Sequence, residues 1–253
     1  MPSTTKLYLS VVISAWNENE NLSKKALEKM LNYLHRTNFS WELVIVNDGS
    51  DDDTKEIISK IGAKEKNLIL VNNPHMGKAQ GLMTGVFQSK GEIILFADMD
   101  QATPIEEFDR LHDCLGQGYD LAIGSRSGRK GAPLYRQILA LGMVILRTLI
   151  LRLPFKDTQC GFKAFKRSAA EKIFNVLRRI HPPLVVKGGA VNPGFDLEAL
   201  YLARKMGLKI IEVPVAWQYE NSVRVRFVKD AVAGVTELLL VRWRSLTDAY
   251  GLR

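Results

Sequence analysis

The stretch EIILFADMDQATP, residues 92–104, sets a nearly continuous apolar run directly before two aspartates, Asp98 and Asp100. A strand that is buried on both faces of a parallel sheet has this apolar character. Because alternate residues of an extended segment face the same side, the two aspartates share a side and Met99 faces the other. Two carboxylates this close repel each other unless a cation lies between them or one of them is protonated. The stretch therefore predicts a buried strand whose end is either a metal site or a polar turn before a helix.

The two interpretations of the aspartate pair predict different chemistry. Thr103 and Pro104 are residue types that start helices, and they account for a turn without accounting for the aspartates. Oxygen ligands suit Mg²⁺ or Mn²⁺, which bind through one or two carboxylates together with substrate phosphates. We therefore expect a divalent ion, Mg²⁺ or Mn²⁺, at this strand end.

Four more β-rich runs alternate with amphipathic stretches along the first half of the chain. Such alternation predicts an α/β fold, with a mostly parallel twisted sheet and helices on both of its faces. In open sheets of this type, ligands bind beyond the carboxyl ends of the strands. Polar, charged or glycine-rich residues follow each run, so the sequence predicts an active site along this edge of the sheet. The runs are YLSVVIS (8–14), ELVIVN (42–47), NLILV (67–71) and YDLAIG (119–124).

The composition is that of a globular protein with one sizeable domain, since 46% of the 253 residues are hydrophobic and 25% are charged. The two cysteines, Cys114 and Cys160, form no CxxC motif, which excludes a disulfide framework and argues against a structural zinc site. They suit the reducing cytosol, and the first residues lack the features of a secretory signal. We therefore expect a cytoplasmic protein.

The formal net charge of +8 is unevenly distributed, because residues 121–156 contain seven Arg and Lys and no Asp or Glu. This distribution predicts an anionic partner. Two segments, 134–153 and 223–244, mix long aliphatic residues with basic ones, which is typical both of interfacial helices and of core helices with basic outer edges. The longest charge-free apolar run of the first segment, 138–146, is about half of the ~18 residues that a membrane span requires. We expect contact with a bilayer, not a crossing.

Other polar residues at the strand ends are candidates for binding a nucleotide. Asp48, at the end of its run, and Glu18, after the first run, are placed to accept hydrogen bonds from a base or a ribose. Residues 50–53 are explained equally well by ordinary turn and helix-cap chemistry. Lys78 either reaches a diphosphate or is a solvated lysine at a helix start, since its segment does not match a Walker loop. The four histidines show no metal-ligand spacing, so we expect them to be structural or exposed.

Eight motifs follow one another along the chain: VVISAWNENENL (11–22), VIVNDGSDDDT (44–54), NNPHMGKAQGLMTGV (72–86), DMDQATP (98–104), GSR (124–126), LYR (134–136), DTQCGFKAFKR (157–167) and GFDLEALYLARKMG (194–207). Together they resemble the family-2 nucleotide-sugar glycosyltransferases of GT-A fold. The resemblance is to the branch that makes dolichyl- or polyprenyl-phosphate glucose and mannose, and it runs from about Leu9 to Trp217. The QxxRW motif of processive polysaccharide synthases is absent, so transfer of a single sugar is implied.

The resemblance implies a site for a nucleotide-sugar donor at the predicted strand ends. Asp98 and Asp100 would bind the metal and the diphosphate, and Gln101 would join the metal. Trp16 stands where the family usually has a tyrosine, and Asn47 where an aspartate is frequent, which leaves the base of the donor open. The candidates for binding the nucleotide sugar are Ala15, Trp16, Asn17, Glu18, Asp48, Lys78, Asp98, Met99 and Asp100.

The implied reaction is transfer of one hexose, with inversion, from UDP-glucose or GDP-mannose to a polyprenyl or dolichyl phosphate. Arg126 and Arg136 would grip the acceptor phosphate, unless they are surface residues only. Asp196 stands where many inverting relatives carry a catalytic carboxylate, and it either orients the acceptor or holds an arginine. Residues 181–194 would form a lid over the sugar donor, with Lys187 as its charged contact.

Residues 1–220 are expected to form the GT-A domain, with a nucleotide-sugar half (1–125) and an acceptor half (126–220). Residues 221–253 are expected to form an amphipathic segment that associates peripherally with the cytoplasmic face of a membrane. Transfer to a saccharide or protein hydroxyl, with Asp196 as general base, stays open. A nucleic-acid partner is disfavoured, because the basic residues are interleaved with Leu and Ile and the strand-end carboxylates would repel a phosphate backbone. The presence of both aspartates argues against a catalytically inactive sensor.

Overall fold

The structure is a computed structural model that describes residues 7–126, 134–186, 188, 193–218 and 227–252. Of residues 134–140, 193 and 227–231 it describes the backbone alone. Within these ranges, seven strands form a single sheet. In chain order the strands are β1 (Leu9–Ala15), β2 (Trp41–Asp48), β3 (Leu68–Asn73), β4 (Ile93–Phe96), β5 (Leu121–Ser125), β6 (Lys163–Lys166) and β7 (Ile210–Pro214).

The sheet has the order β3-β2-β1-β4-β6-β5-β7. Neighbouring strands are parallel except at β6, which runs antiparallel to β4 and β5. The predicted α/β fold with a mostly parallel sheet is confirmed, and the five predicted runs correspond to β1 to β5. The sequence did not predict β6 or β7. β6 has only four residues with a lysine at each end, so it lacks the apolar run by which the other strands are recognised.

Helices cover both faces of the sheet. They are α1 (Asn19–Ser23), α2 (Ala26–Leu34), α3 (Thr54–Gly62), α4 (Lys78–Gln88), α5 (Phe108–Gly116, after a 3₁₀ turn at Ile105–Glu107), α6 (Leu134–Leu151), α7 (Arg167–Ile180), α8 (Pro193–Lys205) and α9 (Phe227–Leu246). Successive strand residues point to opposite faces, so Val12 joins a core with α4, α7, α8 and α9, whereas Val11 and Ile13 join a core with α2, α3 and α5.

α4 lies directly on β1. A Cβ atom at Gly85 would stand 2.2 Å from Val12 Cγ1, and one at Gly81 would stand 2.1 Å from Ser14 Oγ. Since no side chain fits in that space, glycine alone permits this close packing. Gly81 meets the end of β1 and Gly85 its middle, so the first turn of α4, which carries Lys78, reaches the carboxyl end of the strand.

α6 and α9 pack against each other and expose aliphatic and aromatic side chains on their outer sides. Leu141, Ile145 and Leu149 of α6 are 59%, 50% and 73% exposed, and Trp243 of α9 is 65% exposed. We call these four residues the apolar face. The inner side of α6 is part of the core, since its Leu151 is buried, and contact of its outer side with a bilayer stays a prediction. No described helix has both the length and the apolar composition that crossing a membrane needs.

Candidate active site

A cavity of about 290 Å³ lies at the carboxyl ends of β1, β2 and β4, beside the first turn of α4. This is the edge of the sheet at which the sequence predicts an active site. The cavity contains seven of the candidates for binding the nucleotide sugar, and it adds Ser14, His75 and Gly77. Its lining residues are Ser14, Trp16, Glu18, Asp48, His75, Gly77, Lys78, Asp98, Met99 and Asp100.

Asp48 organises the loop between β3 and α4. Its carboxylate is 1% exposed at the end of β2 and accepts hydrogen bonds from the backbone N–H groups of Met76 (2.9 Å) and Gly77 (2.7 Å). It also accepts one from His75 Nδ1 at 3.0 Å. These bonds fix the residues that precede Lys78, so Asp48 positions the first turn of α4.

His75 forms a wall of the cavity, although the sequence predicted a structural or exposed histidine. Its ring stacks on Trp16 with 4.8 Å between the ring centroids and 15° between the planes. Its Nε2 lies 2.8 Å from the carbonyl oxygen of Gly188, and its own carbonyl accepts the N–H of Val186 at 2.8 Å. The Gly188 carbonyl, and after it Asp48, raise the pKa of His75 against the opposing effect of burial. His75 therefore joins the segment after α7 to the cavity.

Asp98 is held between a lysine and a glycine. Lys78 Nζ lies 2.5 Å from Asp98 Oδ1. Burial alone would raise the pKa of the Asp98 carboxyl, but the charge and hydrogen bond of Lys78 hold it below the usual value. On the other side, a Cβ atom at Gly161 would stand 2.3 Å from Asp98 Oδ2. Lys78 is thus the first residue of α4 and an ion-pair partner of Asp98, and its contact with a diphosphate stays a prediction.

Negative charge exceeds positive charge on this wall of the cavity. Glu18, Asp98 and Asp100 all line it, against one ammonium group, that of Lys78. The pKa of Glu18 is raised, mainly by burial and further by the charges of Asp100 and Asp98, although a hydrogen bond from Asn21 opposes the shift. Excess negative charge of this kind favours a bound cation.

Carboxylate oxygens are also the ligands that Mg²⁺ or Mn²⁺ would use, so the residues present fit such an ion. Asp100 Oδ1 accepts the N–H of Ala102 at 2.9 Å, which fixes the second aspartate of the pair. Among the described residues, no three His, Cys, Asp or Glu side chains converge as a preformed metal site. Asp98 and Asp100 would therefore hold an ion whose remaining ligands are phosphate and water oxygens.

Three of the candidates for binding the nucleotide sugar or the metal do not line the cavity. Ala15 is fully buried at the end of β1. Asn17, with φ +55°, accepts the N–H of Asp51 at 3.1 Å and so ties the β1 end to the loop after β2. Gln101, with φ +50°, donates its side-chain amide N–H to the carbonyl of Ala26 and does not line the cavity. In this conformation Gln101 is not brought to the aspartates, and its role toward a metal stays a prediction.

Arg126 lies at the end of β5 and forms a fork with Asp157. Its Nε and Nη2 donate to the two carboxylate oxygens at 2.7 and 2.9 Å, and its backbone N–H donates at 3.1 Å. Burial would raise the pKa of Asp157, but Arg126 lowers it to about 2. Arg126 also lies over the ring of Trp217, 5.9 Å from its centroid, and its charge contributes to the low pKa of Asp98. Asp157 therefore orients the Arg126 guanidinium, which lies within electrostatic reach of Asp98.

Asp196, in the first turn of α8, is paired with a buried lysine. Lys163 is 1% exposed, and its Nζ lies 2.7 Å from Asp196 Oδ1 and also donates to the carbonyl of Cys160. Asp196 also contributes to the raised pKa of Lys78, so it lies within electrostatic reach of the cavity. Asp196 accepts a hydrogen bond from Lys163 and, among the described side chains, forms no ion pair with an arginine; its role toward the acceptor stays a prediction.

Two predicted residues are not described at their side chains. Arg136 lies on α6, of whose first seven residues only the backbone is described. Lys187 lies outside the described residues. Their predicted contacts with the acceptor phosphate and the sugar donor stay predictions.

Comparisons with known proteins identify the family of the chain. Residues 10–174 match the family model "Glycosyl transferase family 2". The chain is 34% identical over 261 residues to dolichyl-phosphate beta-glucosyltransferase ALG5A of Trichomonas vaginalis, a match that covers 98% of this chain and 76% of the relative.

Solved structures share the fold at low sequence identity. Glucosyl-3-phosphoglycerate synthase from Mycobacterium tuberculosis, in complex with phosphoglyceric acid, matches with a TM-score of 0.67 and 19% identity, over 93% of this chain and 80% of that one. The same enzyme in complex with Mn²⁺, UDP-glucose and phosphoglyceric acid matches with a TM-score of 0.60 and 20% identity, over 93% and 79%. The fold is that of the GT-A glycosyltransferases.

Proposed function

The chain belongs to glycosyl transferase family 2, and from that premise we propose that it moves one glucose, with inversion, from UDP-glucose to the phosphate of a polyprenyl or dolichyl phosphate. The activity named for the Trichomonas relative supports glucose as the sugar and dolichyl phosphate as the acceptor. The UDP-glucose complex of a structural neighbour supports the donor. GDP-mannose is the competing donor.

The observation that carries the proposal is that Asp98 and Asp100 line one cavity, and that the Arg126–Asp157 fork lies close enough for the charge of Arg126 to help lower the pKa of Asp98. The two carboxylates suit a metal-bound diphosphate. An oriented guanidinium suits a phosphate monoester, since guanidinium groups bind phosphate by parallel hydrogen bonds. A site that takes both substrates of this reaction needs these two groups near each other.

A phosphate oxygen of the acceptor attacks the anomeric carbon, and the nucleoside diphosphate leaves. The second pKa of a phosphate monoester is about 6, so this nucleophile is largely ionised at neutral pH and needs little help from a base. The pairing of Asp196 with Lys163 is compatible with this chemistry, because a free general base is not required. A transfer to a hydroxyl group would require one.

The protein's own part in the reaction is positioning and neutralisation of charge. Mg²⁺ or Mn²⁺ at Asp98 and Asp100 would offset the charge that grows on the leaving diphosphate. Lys78 lies beside the same aspartate and is placed to share that task. Arg126 orients the acceptor phosphate, and Asp157 fixes the plane of its guanidinium.

The acceptor is a lipid, and the apolar face offers a surface for the membrane that contains it. Exposed aliphatic side chains with a tryptophan among them are typical of helices that lie in the bilayer interface. The proposed attachment is peripheral, at the cytoplasmic face, where a soluble nucleotide sugar is also present.

The test is transfer of radiolabelled sugar from UDP-glucose or GDP-mannose to a polyprenyl phosphate or a soluble saccharide, with Mn²⁺ or a chelator. We expect lipid-linked glucose to form from UDP-glucose only when both the metal and the polyprenyl phosphate are present.

Asp100→Asn should lower kcat by about 100-fold, the usual scale for removing a group that stabilises transition-state charge. Glu20→Asn, at an exposed residue of α1, is the matched control and should leave kcat unchanged. Transfer to the saccharide with none to the lipid would refute the proposal.

A further inference from the structure

Arg147, on the inner side of α6, is a buried cation without an ion-pair partner in the described part of the chain. It is 8% exposed, although arginine is almost never buried unless it is paired. Its Nε has no hydrogen-bond partner among the described residues. Burial lowers the pKa of its guanidinium. Burying this charge costs free energy, which the hydrogen bonds of the guanidinium must offset.

What Arg147 holds is the segment 155–158, between α6 and β6. Nη1 donates to Thr158 Oγ1 at 3.2 Å, and Nη2 donates to the carbonyl oxygens of Phe155 and, at 3.4 Å, of Lys156. The guanidinium therefore binds the acceptor groups of three of the four residues. The fourth residue is Asp157.

The amide groups of the same segment are bound from the other side. Glu212 of β7 accepts the N–H of Lys156 at 2.9 Å and the N–H of Asp157 at 2.7 Å. Arg147 takes the carbonyl groups and Glu212 the amides, so the backbone at Asp157 is fixed in two directions. The Asp157 carboxylate is left to make the fork with Arg126.

We propose that Arg147 is a positioning residue for the acceptor phosphate: it fixes the segment 155–158, and through Asp157 it sets the orientation of the Arg126 guanidinium. The inference rests on the proposed function, since it assumes that Arg126 binds the acceptor phosphate. Arg147 itself touches no substrate. Its effect is on the acceptor and not on the nucleotide sugar, because the donor cavity is built from β1, β2, β4 and α4.

The test compares Arg147→Lys with the structural control Leu151→Ala. Lysine keeps the charge but cannot bind three acceptors as a fork does. We expect Arg147→Lys to raise KM for polyprenyl phosphate about tenfold, the scale of one lost charge-assisted hydrogen bond, and to leave KM for UDP-glucose unchanged.

The control residue Leu151 lies one turn further along α6, is 2% exposed and contributes packing only. Leu151→Ala should therefore lower the melting temperature and leave both KM values unchanged. Thr158→Val, which removes one acceptor, should give a smaller rise in the same KM.

A second measurement does not depend on turnover. In protein labelled with ¹⁵N-arginine, the Nε–H signal of Arg126, assigned by its loss in Arg126→Lys, should exchange slowly in the wild type and rapidly in Arg147→Lys. Equal changes in both KM values, or an unchanged Arg126 signal, would overturn the inference. If the wild type does not use polyprenyl phosphate, the proposed function fails, and the Arg126 signal still decides whether Arg147 positions Arg126.

Discussion

Asp98 is fixed by a charge on one side and by a lack of space on the other. Lys78 Nζ binds Oδ1, and the backbone at Gly161 lies against Oδ2. A carboxylate clamped in this way keeps one orientation although the two side chains of the ion pair remain partly exposed, at 40% and 38%. The orientation of Asp98 is therefore expected to be more sensitive to substitution than the stability of the fold.

Gly161→Ala tests this argument at a single methyl group. The new Cβ would stand 2.3 Å from Asp98 Oδ2, so the flexible carboxylate must turn away, while the surrounding backbone need not move. We expect kcat to fall about 100-fold, the usual effect of misplacing a reacting group by about 1 Å. The free energy of unfolding should change by less than ~1 kcal/mol. Steady-state kinetics and urea unfolding of the same preparation measure the two quantities.

Gly116→Ala is the matched control for that substitution. Gly116 ends α5, and a Cβ atom there would have no neighbour within 4 Å. Alanine in this helix should leave kcat unchanged and raise the free energy of unfolding by up to ~1 kcal/mol. If Gly161→Ala behaved like the control, Asp98 would not be confined by the backbone as the geometry implies.

The residues that the sequence identified are those carried by a strand end with a recognisable pattern, such as Asp98 and Asp48. His75, Asp157 and Lys163 were missed because their roles depend on partners far away in the chain, which a single sequence does not reveal. Position in the polar segment after β3 was an available signal for His75. For Asp157 and Lys163 the signal was their place in a quoted motif, without any indication of which side chain each would bind.

At the scale of elements, the predicted strands were the ones whose apolar runs are unmistakable, because they are buried on both faces. β6 was missed because its Lys163 is buried, whereas lysine is usually exposed; the ion pair with Asp196 compensates for the burial of this charge. The closeness of α4 to β1 was likewise not predictable from periodicity, since it depends on two glycines meeting particular strand residues. The sequence showed that the α6 segment is rich in aliphatic residues, but it did not show which of them are exposed.

The apolar face predicts reduced membrane binding when its α6 residues become charged. Ile145 and Leu149 are four residues apart and share one side of the helix. Ile145→Glu with Leu149→Glu removes ~2 kcal/mol of apolar transfer per residue and repels anionic lipid. We expect cosedimentation with anionic vesicles to fall by at least about tenfold, while the melting temperature stays within a few degrees because both side chains are half exposed or more.

The control for the vesicle experiment carries the same change of charge elsewhere. Ser59→Glu with Ala63→Glu places two glutamates on exposed positions of α3 and just after its end, beside the edge strand β3. This variant should sediment with vesicles nearly as the wild type does. If the α6 variant also did so, another surface of the protein would have to meet the membrane.

At the scale of the whole molecule, one buried carboxylate connects several helices. Glu198 of α8 is 1% exposed and accepts hydrogen bonds from Arg244 of α9 at 2.9 Å and from Tyr250 at 2.6 Å. It also pairs with His181 Nε2 at 2.5 Å, and the carbonyl of His181 accepts the side-chain N–H of Gln80 in α4 at 2.8 Å. These contacts link α9, which carries Trp243 of the apolar face, to α4, which carries Lys78.

This cluster predicts how stability depends on pH. Burial would raise the pKa of Glu198, but the hydrogen bonds from His181 and Tyr250 and the charge of Arg244 lower it below 4.5. A group with a lowered folded-state pKa stabilises the fold fully above its unfolded-state pKa, and that contribution is lost as the pH falls toward the folded-state value.

Glu198→Gln should lower the free energy of unfolding by about 3 kcal/mol at pH 7, because Arg244 loses its counter-charge. Urea unfolding between pH 7 and pH 3 should show that the difference in this free energy between wild type and Glu198→Gln shrinks below about pH 4.5. Glu171→Gln, in an exposed pair with Arg167 at 3.7 Å, should stay within ~0.5 kcal/mol of the wild type throughout. A constant difference between wild type and Glu198→Gln across this range would show that the charge of Glu198 does not stabilise the cluster.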